Sequence, residues 1–136
     1  MSFKLGSLFF NVEAPDIPRH PWIVLSDPGK DAMAVVLVNL STKPGPDNPQ
    51  TMVEPAEHRG VSQRSYVRFE KARKTTLEAL EKGLAGNVLS LSAEISGALL
   101  ARIQHAFLAS RHVSRELKKI LTDQGFGAGS GSPEGL

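Results

Sequence analysis

Val35-Val36-Leu37-Val38-Asn39-Leu40-Ser41 is a β-branched run with nearly continuous hydrophobicity. It reads as a strand covered on both faces. On its C-terminal side, Lys43-Pro44-Gly45-Pro46-Asp47-Asn48-Pro49 is a proline-rich loop that neither a helix nor a central strand accommodates. Thr51-Met52-Val53 is a weak strand, and Glu57-His58-Arg59-Gly60 is a polar connection. Ser65 to Arg73 then alternates, with Ser65, Val67 and Phe69 on one side and Tyr66, Arg68 and Glu70 on the other. On the N-terminal side, the turn formers Ser26 to Asp31 follow the apolar run Trp22-Ile23-Val24-Leu25. Pro15 and Pro18 make Glu13 to Arg19 a loop, preceded by the short apolar stretch Leu5 to Val12. Five short strands separated by turns predict a small barrel or curled sheet.

After Thr75 the period changes. Thr76 to Lys82 reads as a short helix stopped by Gly83. Ser92 is placed to cap a longer helix with Glu94 in its first turn. Ile95, Leu99, Ile103 and Phe107 recur every four residues along it, and Gly97 inside it costs about 1 kcal/mol relative to alanine. Ser114 caps a last helix that ends at Asp123-Gln124-Gly125. The expectation is one α+β domain over residues 1–124 with two to three helices, mainly C-terminal. A flexible Gly/Ser-rich tail is expected over residues 125–136.

At 136 residues, with 40% hydrophobic and 22% charged residues, the chain is long enough for one buried core. The absence of cysteine excludes disulfides, thiolate metal sites and thiol catalysis. No apolar run reaches the roughly 18 residues of a membrane span, and Met1 to Phe10 does not read as a secretory signal, so a cytoplasmic location is expected. Net charge is only +2, but its distribution is uneven. Asn11 to Glu57 holds three basic residues against seven acidic ones, whereas Arg59 to Lys74 holds six basic residues against Glu70 alone. Such a stretch is either a solvated face or a phosphate-binding surface.

Gly125-Phe126-Gly127-Ala128-Gly129 has the look of a nucleotide-binding glycine pattern but lacks a preceding strand and a following helix. His105 and His112 have no companion carboxylate, so a zinc site is not expected. His20 and His58 sit on loops beside basic residues, where an imidazole is suited to proton transfer. Arg68 and Glu70, at i and i+2 on a strand, point to the same face about 6.5–7 Å apart at the backbone. On spacing alone they read as a surface salt bridge worth ~0–1 kcal/mol. The same geometry also suits bracketing a phosphodiester, with the carboxylate taking the 2′-hydroxyl proton and the guanidinium holding the phosphate.

Several words, in order, resemble the MazF/PemK/Kid toxins of bacterial toxin–antitoxin modules. Gly6-Ser7-Leu8-Phe9-Phe10 is similar to the family's opening strand. His20-Pro21-Trp22-Ile23-Val24-Leu25-Ser26 resembles its Arg-Pro and apolar strand, and Val36 to Lys43 its strand ending in a Thr-Ser pair. Ser65 to Thr75 resembles its Val-Arg-x-Asp segment with a following Arg-Thr, and Leu91-Ser92 with its helix the C-terminal helix. The resemblance implies a small SH3-like β-barrel of five to six strands, usually a homodimer. It also implies metal-independent cleavage of single-stranded RNA without a cofactor, blocked by a partner antitoxin. Arg68 falls on an arginine assigned as general acid, Glu70 on the aspartate base, and Ser41 and Thr42 on a hydroxyl pair near the scissile phosphate. His20 stands where many members carry an essential arginine, a departure that implies a histidine acid/base, a shift of duty to Arg19, or lost activity.

The resulting expectation is an endoribonuclease toxin with Arg68, Glu70, His20, Ser41 and Thr42 as catalytic residues. Arg19, Arg64, Arg73, Lys74 and His58 are expected to contact RNA. The competing readings are a non-catalytic nucleic-acid-binding module, a gyrase-binding toxin of the CcdB type, and a structural protein whose helical half is a partner surface. The helix carries Ile95, Leu99, Ile103 and Phe107, of which the barrel covers one stripe; with Leu100 and Leu108 added, a homodimer is expected.

Overall fold

A computed structural model describes residues 3–12, 20–46 and 52–126. Six antiparallel strands form one sheet: β1 (Leu8–Asn11), β2 (Trp22–Val24), β3 (Val35–Ser41), β4 (Met52–Val53), β5 (Ser65–Thr75) and β6 (Leu89–Leu91). The spatial order is β4-β5-β3-β2-β1-β6, with all pairings antiparallel. Three helices follow β5: α1 (Leu77–Ala85), α2 (Gly97–Ala109) and α3 (Arg115–Asp123). The α+β class and the strand and helix content are those expected. The sheet, however, is open: β4 and β6 are its two edges, and no pairing among the described residues closes it into a barrel.

Both faces of the sheet are covered, as the composition of β3 requires. Val36, Val38 and Leu40 join Leu8, Ile23, Val67 and Phe69 under α2 and α3. Val35 and Leu37 join Phe9, Trp22 and Val24 under Leu80 of α1. Leu99, Ile103 and Phe107 of α2 are buried in the first of these cores along with Ile95, and Phe107 meets Phe69 edge to face at 5.6 Å. The stripe Ile95, Leu99, Ile103 and Phe107 is therefore covered within the chain, while Leu100 and Leu108 are only partly buried against the same core.

Two helix boundaries differ from the sequence reading. α1 continues through Gly83 to Ala85, because Gly83 is the point where Leu89 packs onto the helix; a Cβ there would lie 2.8 Å from the Leu89 side chain. α2 is capped by Ser96, not Ser92, through a 3.1 Å bond from Leu99 N–H to the hydroxyl. Gly97 is thus the first helical residue and carries no interior penalty. Ser92 and Ile95 instead donate their N–H groups to Leu8 and Gly6 along β1, and β6, too short to be legible, precedes them. α3 starts as expected, with Leu117 N–H bonded to Ser114 Oγ. It ends in paired bonds from Phe126 N–H to the Leu121 carbonyl and from Gly125 N–H to the Thr122 carbonyl, with Gly125 at φ +93°. This is the Schellman arrangement. Gly125 and Phe126 therefore terminate a helix, and Phe126 packs against the core.

Candidate nucleic-acid interface

The site is organised by an irregularity in the β3–β5 ladder. Leu37 pairs with Arg73 and Asn39 with Arg68, so four residues of β5, Phe69 to Ala72, stand opposite Val38 alone. Strict alternation would send Arg68 and Arg73, five residues apart, to opposite faces. The bulge removes that parity and turns both arginines to the side of Leu37 and Asn39. Lys74, one residue on, points to the other side and pairs with Glu116 of α3.

On the arginine side, Leu91, Phe9, Trp22, Asn39 and Arg68 form a continuous cross-strand row. Arg73 lies over Trp22 with its guanidinium carbon 4.7 Å from the ring centroid. Arg68 donates from Nε to one oxygen of Glu70 at 2.6 Å, its Nη2 lies 2.5 Å from the same oxygen as an ion pair, and Nη1 donates to the Lys43 carbonyl at 3.4 Å. Both side chains are partly covered, Arg68 at 19% exposure and Glu70 at 27%. Their roof is the loop after β3. A Cβ on Gly45 would lie 2.8 Å from Arg68 Nε and 3.2 Å from a Glu70 oxygen, so a larger residue there would push the Arg68 or Glu70 side chain aside.

His20, Ser41 and Thr42 come together elsewhere. They line a pocket of about 200 Å3 with Pro21, Ser62 and Gln63. Its remaining walls include Phe10 and Leu40, which belong to the helix-covered side of the sheet. The expected catalytic set is thus divided into two places, joined by the turn in which Thr42 precedes the Lys43 carbonyl held by Arg68.

The expected RNA-contacting residues fare differently. Arg19 lies outside the described residues. Arg64 is bonded to Glu54 at 2.8 Å and Lys74 to Glu116 at 2.5 Å, so much of the positive charge between Arg59 and Lys74 is answered locally. His58 is buried rather than exposed. Its Nδ1 accepts from Gly60 N–H at 2.8 Å, which makes Nε2 the donor to the Ala93 carbonyl at 2.6 Å. It ties a loop to the chain before α2 and presents no nitrogen to solvent. Sequence reasoning missed Asn39 and Trp22 as neighbours of the pair; the strand registers that place them there follow from turns and a bulge without a local signature. No group of three or more histidine, aspartate or glutamate side chains that could hold a metal occurs among the described residues. No helix among them is long and apolar enough to cross a membrane.

No family model matches the chain, and no curated protein does. Among solved structures, a chain in the crystal structure of MazE-MazF from Deinococcus radiodurans aligns with 84% of this chain and 100% of its own length. The two share 19% sequence identity and a TM-score of 0.54. At that identity the likeness is one of fold, and the fold is MazF-like.

Proposed function

We propose that the chain is the toxin of a toxin–antitoxin pair and cleaves single-stranded RNA without a metal. The observation that carries the reading is the Arg68–Glu70 pair, a base and a cation in contact beside an arginine-capped tryptophan in a MazF-like fold. Glu70 takes the proton of a ribose 2′-hydroxyl, and the freed oxygen attacks the adjacent phosphorus. The bond to the 5′-oxygen breaks, and that oxygen leaves with a proton from Arg68; the proton held by Glu70 then returns to Arg68, directly or through water, so both groups are reset. The products are a 2′,3′-cyclic phosphate and a 5′-hydroxyl end. The guanidinium also faces the charge that builds on the phosphoryl oxygens. The pocket of His20, Ser41 and Thr42 takes the neighbouring phosphate or sugar across the Lys43 turn, and exposed Arg73 offers a flat cation on which a base stacks. A protein antitoxin, a homodimer and a cytoplasmic setting belong to the same reading.

Purified protein incubated with mixed RNA in EDTA tests it. Discrete fragments carrying 5′-hydroxyl ends are expected. Intact RNA, or cleavage only after a divalent ion is added, overturns the reading.

A further inference from the structure

Asn39 Oδ1 is the one side-chain polar atom among the described residues that is buried without a hydrogen-bond partner, in a residue only 8% exposed. A buried acceptor left unmet is costly, and native structures rarely keep one without a use. Asn39 sits directly opposite Arg68 on one neighbouring strand and opposite Trp22 on the other. Side chains so paired start about 4.5–5.5 Å apart at Cβ, within easy reach of an arginine.

We propose that Asn39 is a positioning residue, the second acceptor for Arg68. When Glu70 turns to the ribose hydroxyl, the Nε–H of Arg68 passes to Asn39 Oδ1. The inference rests on the ribonuclease reading and deepens it. At rest, one Glu70 oxygen accepts from Arg68 Nε and lies 2.5 Å from Nη2, so the guanidinium stands where a ribose hydroxyl would have to approach. Release frees the carboxylate but strips the guanidinium of its nearest acceptor, leaving the longer bond to the Lys43 carbonyl. The other neighbour of Asn39 in the row offers nothing: the Trp22 indole has no acceptor and is capped by Arg73. The vacant Asn39 oxygen accepts the displaced donor and keeps Arg68 at the phosphate.

Asn39→Leu removes the acceptor at similar volume, and Asn39→Asp keeps one. The leucine variant should lose roughly tenfold to a hundredfold in kcat with KM nearly unchanged. Its melting temperature should hold or rise, because the unmet group is gone. Asn39→Asp should restore most of the lost rate. A leucine variant with wild-type kcat, or one that loses activity only by melting lower, overturns the proposal. A second measurement needs no cleavage: in Glu70→Ala, the Arg68 Nε–H followed by NMR should still exchange slowly, and in Glu70→Ala/Asn39→Leu it should exchange fast. Fast exchange in both overturns the contact. Intact RNA with wild-type protein defeats the ribonuclease reading, and the exchange measurement then decides the Asn39 contact by itself.

Discussion

Arg73 covers the indole of Trp22 although it stands an odd five positions from Arg68, which faces the same side of the sheet. The bulge opposite Val38 makes this possible, and the contact connects the longest strand to the chain's single tryptophan. Arg73→Ala should therefore shift Trp22 fluorescence to the red and cost about 0.5–1 kcal/mol in denaturant unfolding. An unchanged emission spectrum would show that the guanidinium does not cap the ring.

The roof over the Arg68–Glu70 pair has no room for a methyl group. Gly45→Ala should displace the loop or the guanidinium and reduce RNA cleavage, while thermal stability changes little because Gly45 belongs to no core. Full activity in this variant would mean that the pair works in an arrangement other than the one described.

Charge in the basic stretch is held by acidic partners, and this reverses a simple expectation. Arg64→Ala and Lys74→Ala should each change RNA affinity only slightly. Glu116→Gln, which frees Lys74, should strengthen binding and steepen its salt dependence, each added phosphate contact contributing a slope of about −0.7 on a single strand. Weaker binding by Glu116→Gln would contradict this.

Glu57 provides a pH test remote from the candidate site. Burial raises its pKa, but bonds from Arg102 and from the Glu54 N–H, with the Arg102 charge, hold it below its ordinary value. A carboxyl depressed by folding stabilises the fold above its unfolded pKa, and that contribution is lost as pH falls through the lower folded value. Stability of the wild type should thus fall below about pH 4.3 more steeply than that of Glu57→Gln. Parallel acid limbs would contradict the assignment.

How far the sequence was legible depended on whether a signal was local. The β-branched run Val35 to Ser41 and the alternation of Ser65 to Phe69 are local, and both strands formed where those patterns lie. Ser114 was readable as a cap for the same reason. Leu89-Ser90-Leu91 is too short to show a period, and its pairing with β1 supplies the order that its own sequence does not. Ser92 and Ser96 are equivalent as caps on paper; pairing along β1 keeps the chain extended past Ile95 and leaves Ser96 to begin the helix. In the candidate site, the i, i+2 contact of Arg68 with Glu70 followed from strand geometry. The shared side of Arg73 did not, because it depends on a bulge, and the gathering of His20 with Ser41 and Thr42 at one pocket depends on tertiary packing that no local pattern records. His58 misled because its partners, Gly60 and Ala93, are set by tertiary structure.

The central claim is that Arg68 and Glu70 act as an acid–base pair on RNA. Its most direct test is the single-turnover cleavage rate of wild type, Arg68→Ala and Glu70→Gln on one RNA substrate in EDTA, with folding checked by circular dichroism. The account predicts discrete cleavage by the wild type and a loss of about 10²–10⁴-fold in each variant. The fold should stay intact at a cost of about 1–2 kcal/mol, since neither side chain belongs to a core. Folded variants that cleave at the wild-type rate would reduce the pair to a surface salt bridge and contradict the account.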